Sequence, residues 1–329
     1  MQTNVLALPE KSAQLSKVSR RDQPFIKFVS NLNIPKFGVF LDARTAVVKA
    51  DSLTWLRTLP QNSIHAVVTD PPYGLIEYED LNHDKLRAGK GGVWRIPPSF
   101  DGSKRSPVPR FTVFTEDDTE KLRWFFDSLA RELIRVLVPG AHVFMASNPL
   151  VSTLTFNSFA ACGFEKRGEV IRLVQTLRGG DRPKGAHEEF SEITVMPRSC
   201  WEPWGLFRKP CEGTVAQNLR NWGTGGLRRK SKEEPFKDVI TCSPTRAAER
   251  KIAPHPSLKP QRFLRQIVRA SLPLGKGVIL DPFAGSGSTL AAASANSYSS
   301  IGVERDDEYY QLCCKSFEGL KSLPSHPSR

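Results

Sequence analysis

From Val278 to Thr289 the chain reads Val-Ile-Leu-Asp-Pro-Phe-Ala-Gly-Ser-Gly-Ser-Thr, an apolar run that breaks into a glycine-rich turn. The run reads as a buried strand, and the small residues Ala291, Ala292 and Ala293 continue the turn as a helix. Gly285 and Gly287 permit positive φ and a close approach of backbone to a ligand, as nucleotide-binding strand–turn–helix units require. A second strand, Ser300 to Val303, ends in Glu304, at about the separation from the turn at which an acidic side chain meets ribose hydroxyls. Plain packing of a helix on a sheet also uses glycine turns, and the placing of Glu304 favours the nucleotide reading. Such a unit commits the chain to an α/β, doubly wound, mostly parallel sheet with helices on both faces, and ligands collect at the carboxyl ends of its strands.

A second constraint lies far upstream. The apolar run His65-Ala66-Val67-Val68-Thr69 ends abruptly in Asp70-Pro71-Pro72-Tyr73. β-Branched residues followed by two prolines read as a buried strand opening into a stiff loop. Pro71 and Pro72 fix their own φ and donate no hydrogen bond, so their carbonyls are available to a ligand. An acceptor carboxylate, a rigid carbonyl pair and an aromatic plate within four residues suit a flat, amino-bearing ring such as a nucleobase. The alternative is a proline-rich turn after a core strand.

Together the two stretches resemble the amino-group DNA methyltransferases that use S-adenosylmethionine. Asp70-Pro71-Pro72-Tyr73 is similar to their catalytic motif, and Asp281 to Gly287 to their cofactor motif. The catalytic motif comes first and the cofactor motif last, the permuted order called the β group. His255-Pro256-Ser257-Leu258-Lys259-Pro260 resembles the H-P-T-x-K-P segment that lines the methionine end of the cofactor pocket, with Ser257 in place of Thr. The resemblance runs from about Ala50 to the final helix. It implies a Rossmann-like methyltransferase fold, with catalysis by Asp70, Pro71, Pro72 and Tyr73. It also implies S-adenosylmethionine held by Asp51, His255, Pro256, Ser257, Lys259, Asp281, Pro282, Phe283, Ala284, Gly285, Ser286, Gly287 and Glu304. Double-stranded DNA is the implied partner, with or without a cognate restriction endonuclease, and the enzyme is expected as a monomer or homodimer.

Composition agrees with a polyanionic partner. Forty-seven Lys and Arg against 34 Asp and Glu give a net charge of +13, which speaks for such a partner and not for any fold. No apolar run approaches membrane-spanning length and no signal-peptide pattern opens the chain, so a cytoplasmic protein is expected. The six cysteines show no C-x-x-C spacing; reduced thiols are expected and a zinc site is not.

In chain order, residues 1–36 are polar and basic and read as a flexible, solvated tail. Residues 37–204 form the catalytic half, opening with two short strands (37–41 and 45–50) and a helix over 52–59 capped by Asp51 or Ser52. Residues 74–111, rich in Gly and Pro, read as a lid or DNA-clamping loop in which Trp94 and Arg95 stack on DNA, touch phosphate or simply pin the loop. A helix is predicted over 115–137, stopped by Pro139-Gly140, then a strand over 141–146 and a helix from Asn148-Pro149 to Cys162-Gly163. An antiparallel pair over 164–175 and 192–196 closes the sheet. Between them lies a basic, glycine-rich loop in which Arg178, Arg182 and Lys184 contact phosphate or only water.

From 205 to 251 periodicity fades, and eleven Lys or Arg face five Asp or Glu. The β group carries its target recognition region here, so Arg220, Arg228, Arg229 and Lys230 are expected to contact DNA; a solvated basic excursion is the alternative. Residues 252–329 form the cofactor half, with helices over 258–270 and 306–321.

A duplex hides the exocyclic amine of a base, so the target must be flipped into a pocket, where Tyr73 stacks on it. Asp70 and the Pro71 carbonyl then accept from the amine. Asp opens the tetrapeptide commonly in adenine enzymes and Ser in cytosine enzymes, so N6 of adenine is the expected acceptor and N4 of cytosine the alternative. Other readings explain less. A dinucleotide oxidoreductase leaves Asp70 to Tyr73 without a role, and a non-catalytic DNA-binding protein leaves both motifs so. RNA and protein-glutamine methyltransferases carry Asn where Asp70 stands.

Overall fold

The computed structural model describes residues 25, 28, 29, 38–72, 94, 95, 108, 109, 116–174, 183, 185–195, 197, 200–255 and 257–324. Its centre is a nine-stranded sheet. In chain order the strands are β1 (Gly38–Asp42), β2 (Thr45–Lys49), β3 (Ile64–Thr69), β6 (Leu137–Ala146), β7 (Glu165–Leu173), β8 (Trp201–Arg208), β9 (Val239–Thr241), β10 (Val278–Asp281) and β11 (Ser299–Glu304). A separate two-stranded pair joins β4 (Trp94–Arg95) to β5 (Val108–Pro109). The order across the sheet is β1-β2-β11-β10-β3-β6-β8-β7-β9.

The five strands from β2 to β6 run parallel, whereas β8 is antiparallel to both β6 and β7. Helices α1 (Ser52–Thr58), α2 (Glu116–Val136) and α3 (Ser152–Ala161) cover one face of the sheet. Helices α6 (Gln261–Ser271), α7 (Ser288–Ala295) and α8 (Asp307–Lys321) cover the other. Two further helices, α4 (Val215–Trp222) and α5 (Ala247–Ile252), lie in the connections.

Period-two alternation explains the layering. Val67 and Leu280 point to the α1–α3 face, and Ala66, Val68 and Ile279 to the α6–α7 face, so each strand is apolar throughout. From β10 the chain crosses to β11 on one side; from β3 it crosses to β6 on the other. The two strands at this reversal, β3 and β10, are neighbours with Ala66 opposite Ile279 and Val67 opposite Leu280. In open α/β sheets the crevice at such a reversal is where ligands bind.

Three expectations are corrected. The strand that closes the sheet with β7 is 201–208, not 192–196. Pro203 disguises it, yet Pro203 sits at the end of the pairing with β6, where its carbonyl still accepts from Ser147 N at 2.9 Å and only the return N–H bond is missing. Pro139-Gly140 does not lie outside the regular elements: α2 ends at Val136 and β6 begins directly at Leu137, running through both residues. The segment 1–36 is not wholly a solvated tail, because Phe25 and Val29 are buried in the core and the Phe25 ring meets Phe40 edge-on at 6.4 Å. No helix among the described residues is long and apolar enough to cross a membrane.

Candidate active site

The carboxyl ends of β3, β10 and β11 meet at one place. Thr69, the last residue of β3, donates its hydroxyl to Asp281 Oδ1 at 2.8 Å, and Phe283 N donates to the same oxygen at 3.1 Å. Asp281 is thus the pin between the two motif-bearing strands. Burial pushes its carboxyl up to about 6, aided by the Asp70 charge and opposed by hydrogen bonds from Thr289, Thr69 and Phe283 N. One residue past Thr69, Asp70 emerges half-buried and forms an ion pair through Oδ2 with Lys259 Nζ. Pro71 is buried and Pro72 exposed; Tyr73 lies outside the described residues.

The glycine turn is built for close approach. Gly285 and Gly287 have φ of +50° and +79°, the left-handed region that side chains disfavour. A Cβ on Gly285 would lie 3.2 Å from His255 Nε2, and one on Gly287 would strike Cys313 Sγ at 2.6 Å. Ala284 N donates to Val303 O at 2.9 Å, and Ser316 Oγ donates to Ser286 O at 2.8 Å, holding the turn between β11 and α8. Pro282 O accepts from Ser52 Oγ at the start of α1, and the Phe283 ring packs on Phe125 at 5.8 Å.

Glu304 ends β11 beside this turn, as its spacing predicts, and its carboxylate braces the turn. Oε2 accepts from Gly285 N and Oε1 from Asp306 N, both at 2.8 Å, while burial raises its pKa above the ordinary carboxylate value. Asp51 is the helix cap of the two options, accepting from Thr54 N at 2.9 Å. It stays exposed next to Glu304, whose carbonyl accepts from Ala50 N at 3.1 Å.

His255 lines the other side of the turn. Its Nδ1 accepts from Ser257 N at 3.1 Å, which leaves the ring proton on Nε2, and its ring meets Tyr309 at 4.4 Å. Burial and the Lys259 charge pull its pKa down to about 4, so at neutral pH it is an uncharged donor facing Gly285. Pro256 lies outside the described residues.

The proposed DNA contacts fare differently by position. Arg178, Arg182 and Lys184 lie outside the described residues, as do the side chains of Trp94 and Arg95, whose backbone forms β4. Arg228, Arg229 and Lys230 sit at the amino ends of the strands, across the sheet from Asp70. There Arg228 N donates to Ala270 O, and Arg228 Nη1 to the Tyr298 hydroxyl at 2.7 Å. Arg229 Nη2 reaches Glu233 O at 3.0 Å, and Lys230 pairs with Glu234 at 2.9 Å. Arg220 is exposed on α4.

A buried amide ties this segment down. Asn218 accepts from Glu212 N at 2.9 Å and donates to Pro139 O at 3.0 Å and Thr224 O at 2.9 Å. Sequence reasoning missed it, although Thr214 and Gln217 form a capping box and Gly223 ends α4 in the left-handed region, both local signals.

A family model described as DNA methylase matches residues 178–315. The Type II methyltransferase M2.DpnII of Streptococcus pneumoniae is 39% identical over 275 residues, covering 83% of this chain and 89% of the relative. The chain belongs to the DNA methylase family. Two solved structures share the fold of this DNA methylase. A putative DNA modification methylase from Thermus thermophilus, complexed with S-adenosyl-L-methionine, has a TM-score of 0.51 at 21% identity, covering 85% of this chain and 96% of the other. The cytosine-N4-specific PvuII DNA methyltransferase has a TM-score of 0.52 at 15% identity, covering 87% and 88%. The methylase is of the amino-directed N6/N4 type in the β-group order.

The residues of this methylase fit a nucleotide-like cofactor, because the space beside Gly285 is a cradle that any Cβ would fill. Gly285→Val is expected to abolish S-adenosylmethionine binding in calorimetry while the fold persists. Its unfolding transition should remain cooperative, lowered by about 1–3 kcal/mol for the strained φ. Affinity unchanged from the parent would exclude the turn from the cofactor site.

Proposed function

We propose that this DNA methyltransferase transfers the methyl group of S-adenosylmethionine to N6 of adenine in duplex DNA, with the target base flipped out of the stack. The observation that carries the reading is the junction of β3 and β10, where Thr69 and Asp281 bond at 2.8 Å and so place the Asp70 loop beside the glycine turn. S-adenosylmethionine supplies, when bound, a methyl group already activated on a sulfonium. The glycine turn, with Asp281, Pro282, Phe283, Ala284, Ser286 and the neutral His255 around it, holds the donor. Asp51 and Glu304 lie at the strand ends next to it.

Asp70 and the Pro71 carbonyl accept from the amine, drawing its lone pair out of conjugation with the ring, and Tyr73 stacks on the base. What remains is alignment of nitrogen and methyl carbon, the main task of a site whose donor is already reactive. Asp70 favours adenine because a fixed carboxylate accepts strongly from the amine and a purine gives Tyr73 the larger stacking face. N4 of cytosine is the alternative acceptor. Arg178, Arg182 and Lys184 follow β7 and, with Trp94 and Arg95, are the proposed DNA contacts; Arg220, Arg228, Arg229 and Lys230 would reach a duplex only at the amino ends of the strands, opposite Asp70.

The base is tested by methylating unmodified duplex with labelled S-adenosylmethionine, digesting to nucleosides and separating them by mass. Label is expected in N6-methyldeoxyadenosine. Label in N4-methyldeoxycytidine alone would replace adenine by cytosine.

A further inference from the structure

Asp70 and Lys259 are 189 positions apart in sequence, yet Lys259 Nζ donates to Asp70 Oδ2 with only 9% and 18% of the two side chains exposed. Lys259 belongs to the His255–Pro260 segment, expected to line the cofactor pocket; its ammonium is turned instead to the loop that carries the acceptor chemistry. The pair is the end of a longer array. Glu202 on β8 accepts from Arg172 Nη1 of β7 at 2.9 Å and from Trp204 Nε1 at 2.7 Å. The Arg172 guanidinium is buried over the Phe263 ring of α6 at 5.9 Å. Asp70, Lys259, Glu202 and Arg172 therefore alternate in sign from β3 to β7 beneath the proposed base site. Burial, and to a lesser degree the Arg172 charge, pull the Lys259 ammonium toward neutrality; the Asp70 and Glu202 charges and the Asp70 hydrogen bond outweigh them, leaving its pKa above the ordinary lysine value.

Buried ion pairs are no efficient route to stability, because apolar side chains of the same volume serve as well. An array that ends on one carboxylate does something apolar packing cannot: it fixes the plane and the charge of that carboxylate. We propose that Lys259 is a positioning residue for methyl transfer, its ammonium orienting the Asp70 carboxylate and keeping it ionised, while Arg172 engages Glu202, the competing anion. The proposal rests on the reading of Asp70 as the carboxylate that receives the acceptor amine. The other titratable groups acting on the pair are Asp281 from β10, which opposes ionisation of Asp70, and His255, which is uncharged at neutral pH.

Two substitutions move the site in opposite directions, which a merely structural role would not do. Lys259→Met removes the cation beside Asp70, so the acid limb of the kcat–pH profile moves up by about one pH unit or more. Turnover at neutral pH then falls roughly 100-fold. S-adenosylmethionine affinity measured by calorimetry stays within about threefold of the parent, since Lys259 serves the acceptor side. Glu202→Gln keeps an acceptor for Trp204 but removes the competing anion, so Lys259 is committed more fully to Asp70 and the acid limb moves down. Opposite shifts with cofactor binding retained are the expected result. An unmoved profile in Lys259→Met, or loss of cofactor binding in that variant while its unfolding transition persists, overturns the proposal. If Lys259→Met shows no unfolding transition, Glu202→Gln decides alone: a downward shift supports the proposal and an unmoved limb overturns it. Wild-type turnover in Asp70→Asn would instead remove the reading of Asp70 itself.

Discussion

Asp70→Asn is expected to bind S-adenosylmethionine as the parent does and to transfer its methyl group about a thousandfold more slowly, as loss of one positioned polar group in a closed site commonly costs. Asn keeps the volume of Asp and can still offer its amide oxygen to Lys259. The side then turned to the base is an NH2 group, a donor facing a donor, so the amine loses its acceptor and its alignment. The substitution is preferable to Asp70→Ala. Truncation to Ala would leave the buried Lys259 ammonium with no oxygen acceptor at position 70, a loss on the order of 3–5 kcal/mol that would confuse folding with catalysis. Calorimetry and single-turnover kinetics on the same preparation separate the two quantities, and a wild-type rate would take Asp70 out of the chemistry.

Asp281→Asn is expected to raise stability at pH 8 and to have no such effect at pH 4. Burial lifts the folded-state pKa of Asp281 from 3.8 to about 6. Below pH 3.8 the carboxyl is neutral folded and unfolded, and nothing is lost. Between 3.8 and about 6 the unfolded chain ionises first, so stability falls as pH rises; above about 6 the loss is complete, at roughly 3 kcal/mol. Asn does not titrate, its oxygen can keep the bonds from Thr69 and Phe283 N, and its NH2 can donate to the Thr289 hydroxyl. Thermal unfolding of both proteins across this range should give midpoints several degrees apart at pH 8 that converge toward pH 4. Parallel curves would mean that Asp281 is already ionised in acid.

What the sequence made legible was local. The run from Val278 to Glu304 carries its strand, turn, helix and second strand in adjacent residues, and Asp70-Pro71 announces the end of β3 by chemistry alone. The capping role of Asp51 was one of two local options, and the contact with Thr54 N settles it. The strand 201–208 was hidden because Pro203 reads as a breaker unless the length of its neighbour β6 is known.

Function in three dimensions was harder to read. Nothing near Lys259 in sequence indicates that its partner is Asp70, since the pairing exists only once α6 docks at the end of β3. The basic run at 228–230 looks like a DNA clamp in one dimension. The fold carries it to the amino ends of the strands, against Tyr298 and Glu234. Spacing put Glu304 at the end of β11, and its bond to Gly285 N shows that an acidic residue at that distance shapes the turn itself.

The central claim is that the glycine turn and the Asp70 loop form one methyl-transfer site. It is tested most directly by following label from S-adenosylmethionine into duplex DNA with the wild type, Gly285→Val and Asp70→Asn side by side, calorimetry being run on each. The wild type should bind cofactor and label DNA, Gly285→Val should do neither, and Asp70→Asn should bind cofactor and leave DNA essentially unlabelled. A wild type that binds cofactor without labelling any duplex, or an Asp70→Asn variant that labels at the wild-type rate, would contradict it.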